Sequence, residues 1–293
     1  EPVEPDLLAG RGRMTDELLA RSTAHWSESG RAGMEAFYTL ATDDYRHLAQ
    51  QRDWAGWLAR AQAEVGDRSL RLLDVACGSG KFPNALVRHA GVAASGLRPV
   101  ATDLLDPSAF SIAEARAALP APFVPAAEHE TTLQDFVPAL GGYDIVWAAH
   151  ALYAVPAAEL ARAAATFRAA LGDRGRGVIA HSAAAGHYVE FHRRYLEAFG
   201  PPGAASYLAA EALAEALRRA GARVAVSEVR YDTVAGADAV DAVEGYLQRC
   251  VFDDTISLTA MRSAAPTASW LEACRSAEGW RFPQVVHLLD VRA

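Results

Sequence analysis

The hydrophobic and polar positions of the chain follow two alternating patterns. Short, nearly continuous apolar runs are typical of buried strands. Between them, apolar residues recur at the three- and four-residue spacing of amphipathic helices. Strands and helices that alternate along a chain predict an open, doubly wound α/β sheet. Strands are expected at 72–75, 100–106, from 123 onward, at 142–153 with a loop at its end, and at 177–181, 223–234 and 284–291.

The same pattern predicts how the chain is divided. Residues 1–13 hold two prolines and two glycines without apolar periodicity, which predicts a flexible arm. Residues 14–66 have the spacing of about three helices, which we expect to form an N-terminal cap. Residues 67–293 are expected to form a seven-stranded sheet that is mostly parallel, with an antiparallel last strand and a helical insertion around 237–262.

The first predicted strand ends in an acid and a glycine-rich turn. Asp74 lies at the end of an apolar run, and Gly78 and Gly80 follow it. Glycine has no Cβ, so the backbone approaches a ligand closely there, and the next helix directs its N-terminal amides at that ligand. The acid favours a ligand with an ammonium or sulfonium group, and the Gly-Lys-Ser/Thr ending of a phosphate loop is absent. An ordinary tight turn after a core strand is the alternative.

A second acid stands at the predicted end of the next strand. Asp106 ends an apolar run and immediately precedes a helix-starting proline, Pro107. A carboxylate at this place in a parallel sheet accepts hydrogen bonds from ribose hydroxyls. Asp103 competes for that role. Ser111, one turn into the following helix, would reach the same ligand.

Charge and cysteine content narrow the class of protein. The net charge is −8 and the 28 basic residues are scattered, so a nucleic-acid partner is not expected. The three cysteines lack metal-ligand spacing, which indicates reduced thiols in a cytoplasmic protein and no metal site. No apolar run approaches the roughly 18 residues of a membrane span. We therefore expect a small-molecule partner, while the oligomeric state stays open.

The stretch 73–80 resembles motif I of the class I S-adenosylmethionine-dependent methyltransferases, with Ala76 in place of the motif's first glycine. The order of later motifs is similar to that of the histamine N-methyltransferase-like branch, from about residue 38 to the C-terminus. The matching pieces are 106–109, 130–132, 152–155, 182–195 and the closing strand. This resemblance implies a Rossmann-like methyltransferase fold that binds S-adenosyl-L-methionine. It implies cofactor contacts at Gly78, Asp106, Ser111, Thr132 and Ala149.

The resemblance also implies a pocket for a second substrate. It places contacts near Asp43, His150, His187, Phe191 and Gln284. Tyr38, Asp44 and Tyr45 join this set because, like Asp43, they are expected close to a helix break in the cap. His150 stands where the related enzymes have an amide and His187 where they have an aromatic ring, so the pocket differs in chemistry. Both histidines, with ordinary pKa values near 6.5, are candidate general bases, and buried structural histidines are the alternative.

The activity that the resemblance implies is methyl transfer from S-adenosyl-L-methionine to a small molecule. An aromatic or heteroaromatic amine or an indole-like acceptor is expected, methylated on nitrogen or carbon, in bacterial specialised metabolism. Two alternatives stay open: an enzyme of the same fold and cofactor that catalyses another reaction, and a catalytically silent binding partner.

Overall fold

A computed structural model describes residues 17–293, which form one mixed sheet with helices packed against it. The predicted arm 1–13 lies outside the described residues. The sheet has eight strands. They are β1 (Leu70–Val75), β2 (Val100–Asp106), β3 (Phe123–Glu130), β4 (Tyr143–Ala149), β5 (Leu171–Ser182), β6 (Arg223–Gly236), β7 (Arg275–Ser276) and β8 (Gly279–Arg292).

The strand order is β3-β2-β1-β4-β5-β8-β6, and β7 pairs only with β8. Strands β1 to β5 run parallel, whereas β8 is antiparallel to both β5 and β6. The predicted α/β fold with an antiparallel last strand is confirmed. The structure adds the two-residue β7, which is too short to leave a periodic signal in the sequence.

The helices lie between the strands and in the cap. A first helix, α1, covers 17–25. The others are α2 (Arg31–Ala49), α3 (Trp54–Val65), α4 (Lys81–His89), α5 (Ala109–Ala118), α6 (Leu160–Ala170), α7 (His187–Phe199), α8 (Ala210–Arg219), α9 (Val240–Arg249), α10 (Leu258–Ser263) and α11 (Ala265–Ala273). In the part of the chain that the structure covers, no helix combines the length and the apolar character that crossing a bilayer requires.

The central strands are buried on both faces. Leu72 packs into one hydrophobic cluster with α3 and α4, and its neighbour Leu73 packs into another with α6 and α8. Successive strand residues point to opposite faces, which explains why the sequence of β1 reads as a continuous apolar run. A third cluster, rich in aromatic rings, joins α2, α7 and α9 to the start of β8.

The helix break expected near Tyr38 and Tyr45 is wrong. Helix α2 continues without interruption through both residues. The stretch Thr42-Asp43-Asp44 has poor intrinsic helix propensity, but its neighbours Ala41 and Leu48 are buried against the rest of the protein. Tertiary packing of one helix face outweighs a weak local preference.

Candidate functional site

Two cavities meet beyond the carboxyl ends of β1 and β4. These strands are neighbours, but the chain leaves β1 toward β2 and returns to β4 on the other side, so the loops diverge and leave a crevice. The larger cavity holds about 980 Å³ of empty space, its open mouth included. The smaller one, which we call the aromatic cavity, holds about 430 Å³ on the same measure. Both are lined by Trp26, Tyr38, Tyr45 and His150.

The glycine-rich turn after β1 forms one wall of the larger cavity. Gly78 lines it with a φ of +50°, and a Cβ there would lie 4.0 Å from the Tyr38 hydroxyl. Gly80 does not line it. With a φ of +69°, Gly80 is the residue before α4, where a Cβ would meet the backbone of Ala115 at 3.4 Å. Gly78 therefore faces the larger cavity, and Gly80 shapes the turn.

Two buried carboxylates face the larger cavity. Asp74 is 4% exposed, its Oδ2 forms no hydrogen bond of normal geometry among the described residues, and the indole N–H of Trp147 is close enough to offset part of the effect of burial on its pKa. Asp106 accepts hydrogen bonds from the backbone amides of Gly78 at 3.1 Å and Ser108 at 2.9 Å. Burial raises the pKa of Asp74 to about 7 and that of Asp106 to about 6. An unpartnered carboxylate oxygen in a buried wall fits a ligand with a cationic group.

The other residues predicted to bind the cofactor divide into two groups. Thr132 and Ala149 line the larger cavity. Ser111 does not: it is buried behind the wall, where its hydroxyl donates to the Trp26 carbonyl at 3.4 Å. Asp103 is also outside the lining and accepts a hydrogen bond from the Tyr143 hydroxyl at 2.7 Å. Of the two competing acids on β2, Asp106 is therefore the one at the cavity.

The aromatic cavity has a buried acid at one end. Asp44 is 2% exposed, and it accepts hydrogen bonds from the hydroxyls of Tyr188 and of Thr233, the latter at 3.2 Å. Burial raises the pKa of Asp44 to about 7. The walls are mainly aromatic, formed by Trp26, Phe37, Tyr38, Tyr45, Tyr153, Tyr188, Tyr207 and Phe252. Such a cavity suits a flat ring that carries a polar group.

His150 stands at the junction of the two cavities. Its Nδ1 lies 2.8 Å from the Tyr153 hydroxyl, which accepts from the Ser182 amide and so has its own proton free for Nδ1. This pattern assigns the ring proton to Nε2, which is buried without a partner in the described part of the chain. Burial lowers the pKa of His150 to about 3. The ring is therefore neutral and offers a hydrogen-bond donor rather than a base.

The structure does not bring Asp43 to either cavity. Its carboxylate forms a salt bridge with Arg46 at 2.5 Å and approaches His47 at 3.2 Å. One residue along a helix turns by about 100°, so Asp44 points inward where Asp43 points out. The acid that lines the aromatic cavity is thus the neighbour of the one the resemblance implied.

The structure does not bring His187 to either cavity, although the resemblance implies a contact with the second substrate there. His187 is the first residue of α7, is fully buried, and accepts a hydrogen bond from Trp270 Nε1 at 3.1 Å. It stacks on Phe191, with 5.3 Å between ring centroids, and neither residue lines a cavity at the junction. Burial also lowers the pKa of His187 to about 3. Both rings belong to the aromatic core.

Gln284 lies behind the aromatic cavity rather than in its lining. Its amide nitrogen donates to the Thr233 hydroxyl at 3.1 Å and to the Tyr246 hydroxyl at 3.0 Å. Since Thr233 in turn donates to Asp44, Gln284 holds the partner of a lining residue. It therefore supports the position of Asp44 and does not itself reach the cavity.

Lys81, Trp26 and Arg249 are among the lining residues that were not predicted. Lys81 faces the larger cavity with its ammonium 4.5 Å from the centre of the Tyr38 ring, and burial lowers its pKa. The position of Lys81 directly after the glycine turn could have indicated in the sequence that it lines the cavity. Trp26 and Arg249 are in contact although they are distant in sequence, with the guanidinium 5.0 Å from the Trp26 ring centre. No local pattern predicts that contact.

Known proteins resemble this chain in sequence and in structure. Residues 45–226, more than half of the chain, match a family model described as a methyltransferase domain. No curated protein matches the sequence. A proposed methyltransferase from Bacillus halodurans is 14% identical with a TM-score of 0.51, over 80% of this chain and 97% of its own. Magnesium protoporphyrin IX methyltransferase from Synechocystis, solved with S-adenosylhomocysteine, is 13% identical with a TM-score of 0.50, over 92% and 97%. These identities show a shared fold.

Proposed function

We propose that this chain, which belongs to the methyltransferase domain family, methylates a small aromatic or heteroaromatic amine or an indole-like acceptor. It is an enzyme, and S-adenosyl-L-methionine is its cosubstrate. The observation that carries the proposal is the junction of the two cavities, where Tyr38, Tyr45 and His150 line both. A ligand in one cavity would meet a ligand in the other there. Nitrogen or carbon methylation in bacterial specialised metabolism is the setting we propose.

The larger cavity offers a matching group for each part of the cosubstrate. Asp74 would bind the ammonium group, and Lys81 the carboxylate, since both charged side chains are at least half-buried in the cavity wall. Asp106 would accept hydrogen bonds from the ribose hydroxyls. The adenine would lie near Thr132. Bound S-adenosyl-L-methionine supplies a methyl group already activated on a sulfonium.

The aromatic cavity would hold the acceptor. Its rings offer flat apolar walls, and Tyr45 and His150 pack edge to face at the junction, with 5.9 Å between their centroids. A methyl transfer needs little covalent help once the acceptor atom is held in line at about 3–3.5 Å and water is excluded. Positioning by these walls is the main contribution we assign to the protein.

We propose that Asp44 accepts the proton that the acceptor loses in the aromatic cavity. Its pKa of about 7 lets the carboxylate take a proton from an acceptor near neutral pH. His150 is less suitable as a base, because burial lowers its pKa to about 3. We instead propose that its Nε2–H donates a hydrogen bond that orients the acceptor.

Two variants, each of which fills one cavity, test whether the larger cavity binds the cofactor and the aromatic cavity binds the acceptor. Ala41 is buried in the lining of the aromatic cavity, and Ala154 is buried in the lining of the larger one. Ala41→Leu should leave binding of S-adenosylmethionine within about threefold of wild type and abolish methyl transfer, whereas Ala154→Leu should weaken cofactor binding. Calorimetry with S-adenosylmethionine and S-adenosylhomocysteine measures cofactor binding.

Methyl transfer is measured with arylethylamines, indoles and phenols as acceptors. It is detected as a gain in acceptor mass equal to one methylene group. Melting temperatures separate blocked cavities from unfolded protein. Wild-type protein that binds no cofactor would refute the whole proposal. Cofactor binding without transfer to any acceptor would refute the acceptor class and favour a different reaction or a silent partner.

A further inference from the structure

A buried arginine that forms no ion pair with any of the described residues lines the aromatic cavity. Arg249 is 4% exposed and stands at the end of α9. Its guanidinium donates to the backbone carbonyls of His25 and of Gly30, the latter at 2.7 Å. No carboxylate within residues 17–293 lies within ion-pair distance of the guanidinium, and Asp254 acts on it only from farther away. Two of its five N–H groups are thus used, on neutral acceptors.

Burying a cation in this way is costly. A charge taken out of water is normally paired with an opposite charge, because hydrogen bonds to carbonyls only partly replace its hydration. Burial lowers the pKa of Arg249 to about 10, so the side chain stays charged at neutral pH. Three N–H groups of the guanidinium remain, and a planar guanidinium can bind a carboxylate through two parallel bonds.

The charged groups of the aromatic cavity are separated from each other. Asp44 is held by Tyr188 and Thr233, whereas Arg249 lies over Trp26 and beside the segment 25–30. The two side chains form no ion pair. The lining of the cavity therefore contains a buried acid and a buried guanidinium that do not pair with each other, together with aromatic rings.

We propose that Arg249 binds a carboxylate of the acceptor, so that the acceptor is an aromatic amine that also carries a carboxylate, in the class of the aromatic α-amino acids and their derivatives. The inference rests on the proposed function and names the substrate class of the same site. Arg249 is a specificity-determining residue in this arrangement. Its carbonyl contacts keep the guanidinium fixed at the cavity wall, and the acceptor supplies the missing negative charge.

Matched substrate pairs test the carboxylate directly. Tryptophan with tryptamine, and phenylalanine with phenethylamine, differ only in that group. We expect wild-type kcat/KM at saturating S-adenosylmethionine to favour the carboxylate member of a pair by at least about tenfold. Arg249→Met should lower kcat/KM for the carboxylate members by about tenfold or more and change the amines by less than about threefold. Arg249→Lys, which keeps the charge and loses the fork, should fall between.

Arg194→Met is the control. Arg194 also lies over a tryptophan, 5.4 Å from the Trp270 ring centre, and it does not line the aromatic cavity. Its removal should leave the ratio between the members of each pair unchanged. Melting temperature and cofactor affinity, measured on every variant, report folding and the integrity of the larger cavity.

Several results would overturn the inference. A wild-type kcat/KM for the amines that equals or exceeds the value for the carboxylate members would contradict it. An equal loss of kcat/KM for both members of a pair in Arg249→Met would also contradict it, because Arg249 would then only hold the segment 25–30 in place. If none of the four compounds binds the complex with S-adenosylhomocysteine, the carboxylate class is wrong although cofactor binding stands. Absence of cofactor binding itself would instead be a failure of the proposed function.

Discussion

The affinity for S-adenosylmethionine should fall as the pH drops from 7.0 to 5.5, because Asp74 must be charged to bind the ammonium group. Burial raises the pKa of Asp74 to about 7 in the free protein, and its Oδ2 is unpartnered within the described residues. A cation placed beside the carboxylate lowers that pKa. Binding therefore releases a proton at mildly acidic pH, and affinity weakens as protons become more available.

The magnitude follows from the titration of one group. With a pKa of about 7, half of the Asp74 side chains are charged at pH 7.0 and roughly 3% at pH 5.5. If the pKa in the complex lies below about 5, the affinity falls by about 15-fold over this interval, which corresponds to about 1.6 kcal/mol. Asp106, whose pKa is raised to about 6, adds an effect of the same sign at the acidic end.

Calorimetry at four pH values between 5.5 and 7.0 measures the effect. Two buffers with different ionisation enthalpies give the number of protons released, which should be about one at pH 6.0. Asp74→Asn should bind more weakly and lose most of the pH dependence, whereas Asp103→Asn, outside the cavity, should keep it. A flat wild-type profile, or an unchanged slope in Asp74→Asn, would refute the assignment of Asp74.

Four further outcomes follow from the geometry of the site. Asp106→Asn should weaken cofactor binding by about tenfold or more through the loss of charge-assisted hydrogen bonds, and unchanged calorimetric affinity in a folded variant would contradict its contact with the ribose. Gly78→Val should abolish cofactor binding, since a branched residue is strained at a φ of +50° and its side chain would extend toward Tyr38; normal binding would place the ligand elsewhere. His150→Ala should depress turnover while cofactor affinity stays within about threefold, and wild-type turnover would remove His150 from the acceptor site. His187→Ala should instead lower the free energy of unfolding by about 2–4 kcal/mol in denaturant melts, because it leaves a hole in the aromatic core, and a stable variant with a specific loss of turnover would reverse this conclusion.

Much of the fold and of the larger cavity could be predicted from the sequence. The strands around Asp74 and Asp106 are buried on both faces, so each reads as an apolar run with a polar end. The turn at Gly78 needs a backbone conformation that few residues other than glycine adopt, which makes it visible in the sequence. Residues on such local features reach the cavity because parallel strands end at one edge of the sheet. The prediction fails for Ser111, because its position one turn into α5 places it behind the wall of the larger cavity.

The aromatic cavity could be predicted only in part. Tyr38 and Tyr45 are seven residues apart and share a face of α2, which the helical period makes predictable. Asp43 and Asp44 are equally polar in sequence, and the choice between them depends on the rotation of α2 against its neighbours. His187 was assigned from the family resemblance, and only the packing of α7 against Trp270 shows that it belongs to the core.

The sequence by itself therefore determined the order of strands and helices, the glycine turn and the acids at the strand ends, because each is specified by residues close together in the chain. The tertiary structure decided which side chains line the aromatic cavity. Arg249 approaches the carbonyls of His25 and Gly30 across more than two hundred residues. Such a contact depends on how whole helices are oriented on the sheet, and that orientation is set by burial of many apolar side chains together rather than by any local pattern.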